Sequence, residues 1–380
     1  MNDKKVYADN AATTRMSQIA RYAMMEQIER GYGNPSSPCS SGRDARRALE
    51  RARAVTARTL GARPEEIYFT SGGTESNNWA IKAAAERGGH VISTKIEHPS
   101  ILNCLKYLEE RGVEVTYLNV DKFSQLSPAQ VSDAIRDDTA LITIMLANNE
   151  IGTILPVGAI ADIAREHGVL FHTDAVQAAG RIPLDVKSLG MDMLSISGHK
   201  FGAGRGSGAL YVKKGVALPP FMHGGGQERG ARSGTENTPG FCALASAFED
   251  SVSRLDISIP RVTKMRDRLI DALLKIPQSH LTGDPANRLP GLASFAFDRV
   301  SGDMLVLALD EAGICASSGS ACSAGLDEAS HVLLATGLSI ETARGSLRLS
   351  VNEDNNDREI DYIIAKTPEI IARLREMSPV

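Results

Sequence analysis

The strongest constraint on this chain is its rhythm. Short β-rich apolar runs at 66–70, 90–93, 113–119, 141–147, 168–173 and 191–197 alternate with helical patterns such as 158–167. Runs separated by a helix length cannot pair as hairpins, so the rhythm predicts βαβ units and an α/β fold with a mainly parallel sheet. Ligands bind such sheets at the carboxyl ends of the strands, and the polar clusters of this chain fall there. Amphipathic patterns at 240–255 and 260–274 follow Pro239, placing a domain boundary near 255. Beyond it, 292–297, 314–318 and 346–351 read as short strands of a smaller α+β domain, and 359–377 reads as a closing helix.

A length of 380 residues leaves room for two or three domains at roughly 150 residues each. With 42% hydrophobic and 23% charged residues the composition is globular, which excludes a disordered, collagen-like or coiled-coil chain. A net charge of −4 supplies no bulk positive field for a polyanion, so no direct nucleic-acid partner is expected. The first ten residues carry no apolar signal core, and stretches such as 141–147 fall far short of the roughly 20 residues that span a bilayer. A cytoplasmic protein without a membrane partner is expected. The five cysteines, at 39, 104, 242, 315 and 322, are odd in number and scattered, which fits neither a disulfide framework nor a zinc site.

Three clusters at strand ends carry chemistry. In T-S-G-G-T-E-S-N a strand turns through Gly72 and Gly73 into a helix beginning near Glu75, so that backbone N–H groups and the Thr74 hydroxyl can cradle a phosphate. A plain glycine turn with an N-cap reads the same way. Asp174, in H-T-D-A-V-Q, is either a helix cap or a carboxylate that keeps a pyridine nitrogen protonated. Lys200, in S-I-S-G-H-K, is either a solvated charge or a Schiff-base amine. Phosphate cradle, carboxylate and lysine in this order on one sheet are what pyridoxal phosphate requires. His98, in I-E-H-P-S, is placed to stack on such a ring or to serve as a structural hydrogen-bonding residue.

Two further positions complete the set. Small residues surround Cys322 in A-S-S-G-S-A-C-S-A-G, a composition that predicts an accessible loop (about 316–330) carrying a reactive thiol, whereas the other four cysteines read as buried small hydrophobes. Arg348, in G-S-L-R-L-S, offers either a surface ion pair or a fork for an amino-acid carboxylate.

With these residues in place, the chain resembles the pyridoxal-phosphate-dependent cysteine desulfurases of aminotransferase class V, in the NifS/IscS-like group. The resemblance runs through A-D-N-A-A-T-T at 8–14, G-N-P-S-S at 33–37, T-S-G-G-T-E-S-N-N at 70–78, E-H-P-S at 97–100 and N-N-E-I-G at 148–152. It continues through H-T-D-A-V-Q at 172–177, S-G-H-K at 197–200, G-G-G-Q-E-R-G-A-R-S-G-T-E-N at 224–237 and S-S-G-S-A-C at 317–322. It implies a PLP-dependent fold type I, like that of aspartate aminotransferase, with a large domain over 15–255 and a small domain made of 1–14 and 256–380.

The resemblance also implies roles. Lys200 forms the Schiff base with pyridoxal 5'-phosphate, His98 stacks on the ring, Asp174 pairs with its nitrogen, and Gln177 with its hydroxyl, near Asn149. Gly73, Thr74, Ser197 and His199 hold the phosphate, joined by Thr235 from a second subunit, so a homodimer is expected. Arg348, Asn149 and Asn34 bind the L-cysteine substrate, while Lys200, His98 and Cys322 are catalytic. Cys322 takes the sulfur, alanine leaves, and the sulfur passes to an acceptor protein; no metal is implied. Cys39 stands where relatives often have histidine. The chain ends at Val380, where housekeeping relatives continue into a tail that docks an iron–sulfur scaffold. That leaves room for an acceptor in tRNA thiolation, nitrogenase-cluster assembly or DNA phosphorothioation. Selenocysteine lyase, a class V aminotransferase and a non-catalytic cysteine-ligated module are the alternative readings.

Overall fold

The computed structural model describes residues 5–85, 89–319 and 329–377. Its centre is a seven-stranded sheet, ordered Ile67–Thr70, Gly208–Val212, Met193–Ser197, Leu170–Asp174, Thr139–Thr143, His90–Thr94 and Glu114–Leu118. Five consecutive strands, from Met193–Ser197 to Glu114–Leu118, pair in parallel, and Gly208–Val212 runs against both of its neighbours. The sheet is α/β and mainly parallel, as the rhythm requires. Its central strands are buried along their length, with Ile92, Ile142, Phe171, Leu194 and Ile196 at 0% exposure, as expected of a sheet covered on both faces.

The apolar run 141–147 reads as one strand; the regular strand ends at Thr143, although the Ile144 and Leu146 N–H groups still reach the His172 and Asp174 carbonyls of the neighbouring strand at 3.2 and 3.0 Å. Burial continues through Ala147, which is why the run looks uniform, while the Met145 N–H turns to the Glu97 carboxyl group. The pattern at 260–274 likewise belongs to a longer helix, Leu255–Leu273, with Pro260 inside it; it follows Thr238–Ser253 after Arg254 alone. The run 314–318 shortens to a strand Ile314–Cys315, which pairs in parallel with Val6–Tyr7. A second sheet, Ser346–Ser350, Leu292–Phe297 and Ser279–Leu281, is antiparallel. The apolar cluster around it takes Val6 and Ala8 together with Phe295, Phe297, Leu347, Leu349 and Ile371. The long helix Asp357–Met377 packs against Leu255–Leu273 on this side. Among the described residues no helix is long and apolar enough to cross a membrane.

Candidate active site

A cavity of about 660 Å³ opens where the carboxyl ends of the parallel strands face the second sheet. Gly73, Thr74, His98, Asn149, Asp174, Gln177, Ser197, His199, Lys200 and Arg348 all line it. Residues spread over most of the chain thus meet in one space.

One wall comes from strand ends. Strand Ile67–Thr70 ends, and helix Gly73–Ala85 begins after a two-residue turn. A Cβ on Gly73 would stand 2.6 Å from Val176 Cγ2, so glycine is what lets this helix start approach the turn after Asp174. Asp174 closes strand Leu170–Asp174; its Oδ1 accepts the Val176 N–H at 2.9 Å, and its Oδ2 accepts from Asn77 Nδ2 at 2.6 Å. It caps a turn rather than a helix. In the same strand His172 bonds Thr143 and Ser195, and burial pushes its imidazole down to about 3. Ser197 ends its strand, and the turn Gly198–Lys200 delivers His199 and Lys200. Burial, with Lys200 and Arg181 adding to it, pushes His199 down to about 4.

The other wall is assembled from distant segments. Lys200 Nζ donates to the carbonyls of Ala11 at 2.7 Å and Ala12 at 2.8 Å, and Gln177 Nε2 to Ala11 at 3.0 Å. Arg348 is buried; it donates to the Asn149 carbonyl at 2.8 Å and pairs with Asp9 at 2.9 Å. Glu150 accepts from the Ser330 hydroxyl, and His331 Nε2 lies 3.0 Å from the Glu97 carbonyl, so the chain just after 320–328 is fastened beside the cavity.

His98 caps helix Pro99–Glu109, its Nδ1 accepting the Ser100 N–H at 3.1 Å. The structural hydrogen-bonding reading of this histidine is met, and the same residue lines the cavity. Asn34 does not reach the cavity: it is exposed, and its side chain closes a turn onto the Ser36 N–H. Thr235 is exposed and lies outside the cavity of its own chain. Cys322 lies outside the described residues. Asp9, Asn77, Ser100 and His331 are site residues that spacing did not single out, although Asp9, Asn77 and Ser100 stand inside the quoted motifs. Among the described residues no group of three or more His, Cys, Asp or Glu side chains could hold a metal ion.

A model of the aminotransferase class V family matches residues 6–363. The cysteine desulfurase IscS of Methanosarcina thermophila is 48% identical over 381 residues, covering 99% of this chain and 94% of that protein. The chain belongs to the cysteine desulfurases of aminotransferase class V. Among solved structures, a NifS-like protein shares the fold with a TM-score of 0.92 at 37% identity, over 97% of this chain and all 100% of that one. SspA in complex with cysteine follows with a TM-score of 0.80 at 36% identity, over 92% and 99% of the two chains. This desulfurase chain has the PLP fold type I of its family, whose members use pyridoxal phosphate. The donors fit that group. A helix start with Thr74, Ser197 and His199 suits a phosphate monoester, Asp174 suits a protonated ring nitrogen, and Lys200 supplies the amine.

Proposed function

We propose that this chain is a pyridoxal-phosphate-dependent cysteine desulfurase, a cytoplasmic homodimer that takes sulfur from L-cysteine and hands it to an acceptor protein. The observation that carries the reading is one cavity lined by Lys200, Asp174 and Arg348 together. Bound pyridoxal phosphate supplies an electron sink for charge that develops on the substrate carbons.

The chain's own residues do the rest. Gly73, Thr74, Ser197 and His199 hold the phosphate and Asp174 the ring nitrogen, with Gln177 and Asn149 at the ring's edge. Arg348, oriented by Asp9 and the Asn149 carbonyl, receives the substrate carboxylate, which competes with Asp9 for the guanidinium fork. Lys200 removes the Cα proton. The Cys322 thiolate attacks the substrate sulfur; the carbon–sulfur bond breaks with its electron pair left on carbon, Cβ takes up a proton, and Lys200 returns the proton to Cα to give alanine. Sulfur remains on Cys322 as a persulfide.

The dimer draws support from two features. Thr235, in the Gly-rich segment at 224–237, is exposed, available to a neighbouring subunit. Helix Gln18–Arg30 leaves Ile19, Tyr22, Met25 and Ile28 exposed on a soluble fold, a stripe suited to burial against a second copy. The acceptor belongs to iron–sulfur cluster assembly, tRNA thiolation or DNA phosphorothioation. The test is alanine formation from L-cysteine by the purified holoenzyme, against Lys200→Ala. Equal alanine from both proteins, or none from the unsubstituted holoenzyme, overturns the reading.

A further inference from the structure

A buried hydrogen-bonded path joins the two sides of the cavity. Asn77, 1% exposed, donates one amide hydrogen to Asp174 Oδ2 at 2.6 Å and the other to Ser100 Oγ at 2.9 Å. Ser100 Oγ lies 2.8 Å from His98 Nδ1, and the Ser100 backbone N–H reaches the same nitrogen at 3.1 Å.

The directions of these bonds are determined. A flipped Asn77 amide would set its oxygen against the Asp174 carboxylate, so the NH₂ faces that side. A peptide N–H can only donate; His98 Nδ1 is therefore an acceptor. The Ser100 hydroxyl, having accepted from Asn77, has its single hydrogen to give to the same Nδ1. A neutral imidazole with Nδ1 as acceptor carries its proton on Nε2. The ring borders the cavity, and burial, together with the Lys200 and His331 charges and against that of Asp174, holds it below its ordinary pKa.

We propose that Asn77 and Ser100 are positioning residues that tie His98 to Asp174 and lock its ring in the Nε2–H tautomer. His98 then presents a hydrogen-bond donor toward the cavity and has no basic lone pair there, which leaves proton abstraction to Lys200. The inference deepens the desulfurase reading and rests on it for what His98 does in the reaction; the path itself does not depend on turnover.

The direct test reads the unsubstituted holoenzyme. Holoenzyme labelled with ¹⁵N-histidine, without cysteine, is examined by long-range ¹H–¹⁵N correlation between pH 6 and 8, with His98→Gln assigning the signal. The proposal expects Nε2–H for His98; an Nδ1–H ring overturns it. Ser100→Ala and Asn77→Ala each raise the His98 titration midpoint, and the double variant moves it no further than the larger single effect; independent, additive shifts overturn the path. Ser100→Thr restores the tautomer signature. In turnover Ser100→Ala lowers kcat by about tenfold, the scale of one buried hydrogen bond, with KM little changed; a loss confined to KM contradicts the assignment. Because the tautomer is read without substrate, an active enzyme with the wrong tautomer and an inert protein with the right one are distinguishable.

Discussion

The two walls of the cavity are built differently. The wall of Gly73, Asp174, Ser197 and Lys200 is set by strand ends and the turns that follow them, within a few residues of each functional group. The wall of Arg348, Asn149, Asp9 and Glu150 is held by contacts between residues far apart in the chain: Arg348 reaches Asp9 across 339 positions and Asn149 across 199, and Ser330 reaches Glu150 across 180. In the proposed function the first wall carries the groups for chemistry and the second the groups for holding a substrate. Locally set geometry is rigid and survives substitution elsewhere, whereas the second wall depends on the small sheet and the N-terminus docking against the large one.

That difference predicts different kinetic signatures. On the first wall, Lys200→Ala lowers kcat by about 10²–10⁴-fold, the usual contribution of a positioned acid–base group, and removes the visible absorbance of the lysine-bound cofactor; retention of both would break the comparison. A long-range tie outside both walls sharpens it next. Arg53 and Glu228 form a buried pair at 2.7 Å, and Glu228 also accepts the Phe69 N–H of the edge strand. Arg53→Ala strands the Glu228 carboxylate and costs about 3–5 kcal/mol of stability in denaturant unfolding. A loss below about 1 kcal/mol would show that water reaches the site.

On the second wall, Arg348→Ala raises KM for cysteine by about 30-fold, the scale of one charged hydrogen bond near 2 kcal/mol, with kcat changed less. A collapse of kcat at constant KM would place Arg348 in the chemistry instead. The smallest expected effect is a slope. Burial pushes the Glu97 carboxyl from 4.5 up to about 8, against hydrogen bonds from Met145 and Thr94. The folded protein therefore holds a proton that the unfolded chain has released between those values. The stability this contributes is complete below pH 4.5 and is lost as pH rises toward 8. Glu97→Gln flattens that part of the melting temperature against pH; an unchanged profile would mean that Glu97 is ionised in the fold.

The same contrast decides what was legible in the residues. Strand-end position betrays itself locally, so the place of the glycine turn, Asp174 and Lys200 could be read from their motifs, as could the parallel sheet. Asp9 beside Arg348, and Ser330 beside Glu150, depend on the docking of distant segments, and no local spacing encodes that. Helix Gln18–Arg30 was silent for another reason. It buries Ala20 and Gln27 while exposing Tyr22 and Ile28, the reverse of an amphipathic core-facing pattern. The run at 141–147 ends early as a regular strand for a side-chain reason: the Met145 N–H bonds Glu97 instead of a neighbouring strand, which apolar periodicity does not encode.

The central claim, that this cavity serves sulfur transfer to Cys322, is tested most directly by a single turnover of holoenzyme with L-cysteine in the absence of reductant. Intact and peptide mass spectrometry follow the protein, and alanine is quantified. The account predicts one added sulfur atom on the Cys322 peptide with stoichiometric alanine. Conversion of an amino acid with cofactor bound but no sulfur added to that peptide would contradict it and point to a transaminase or selenocysteine lyase.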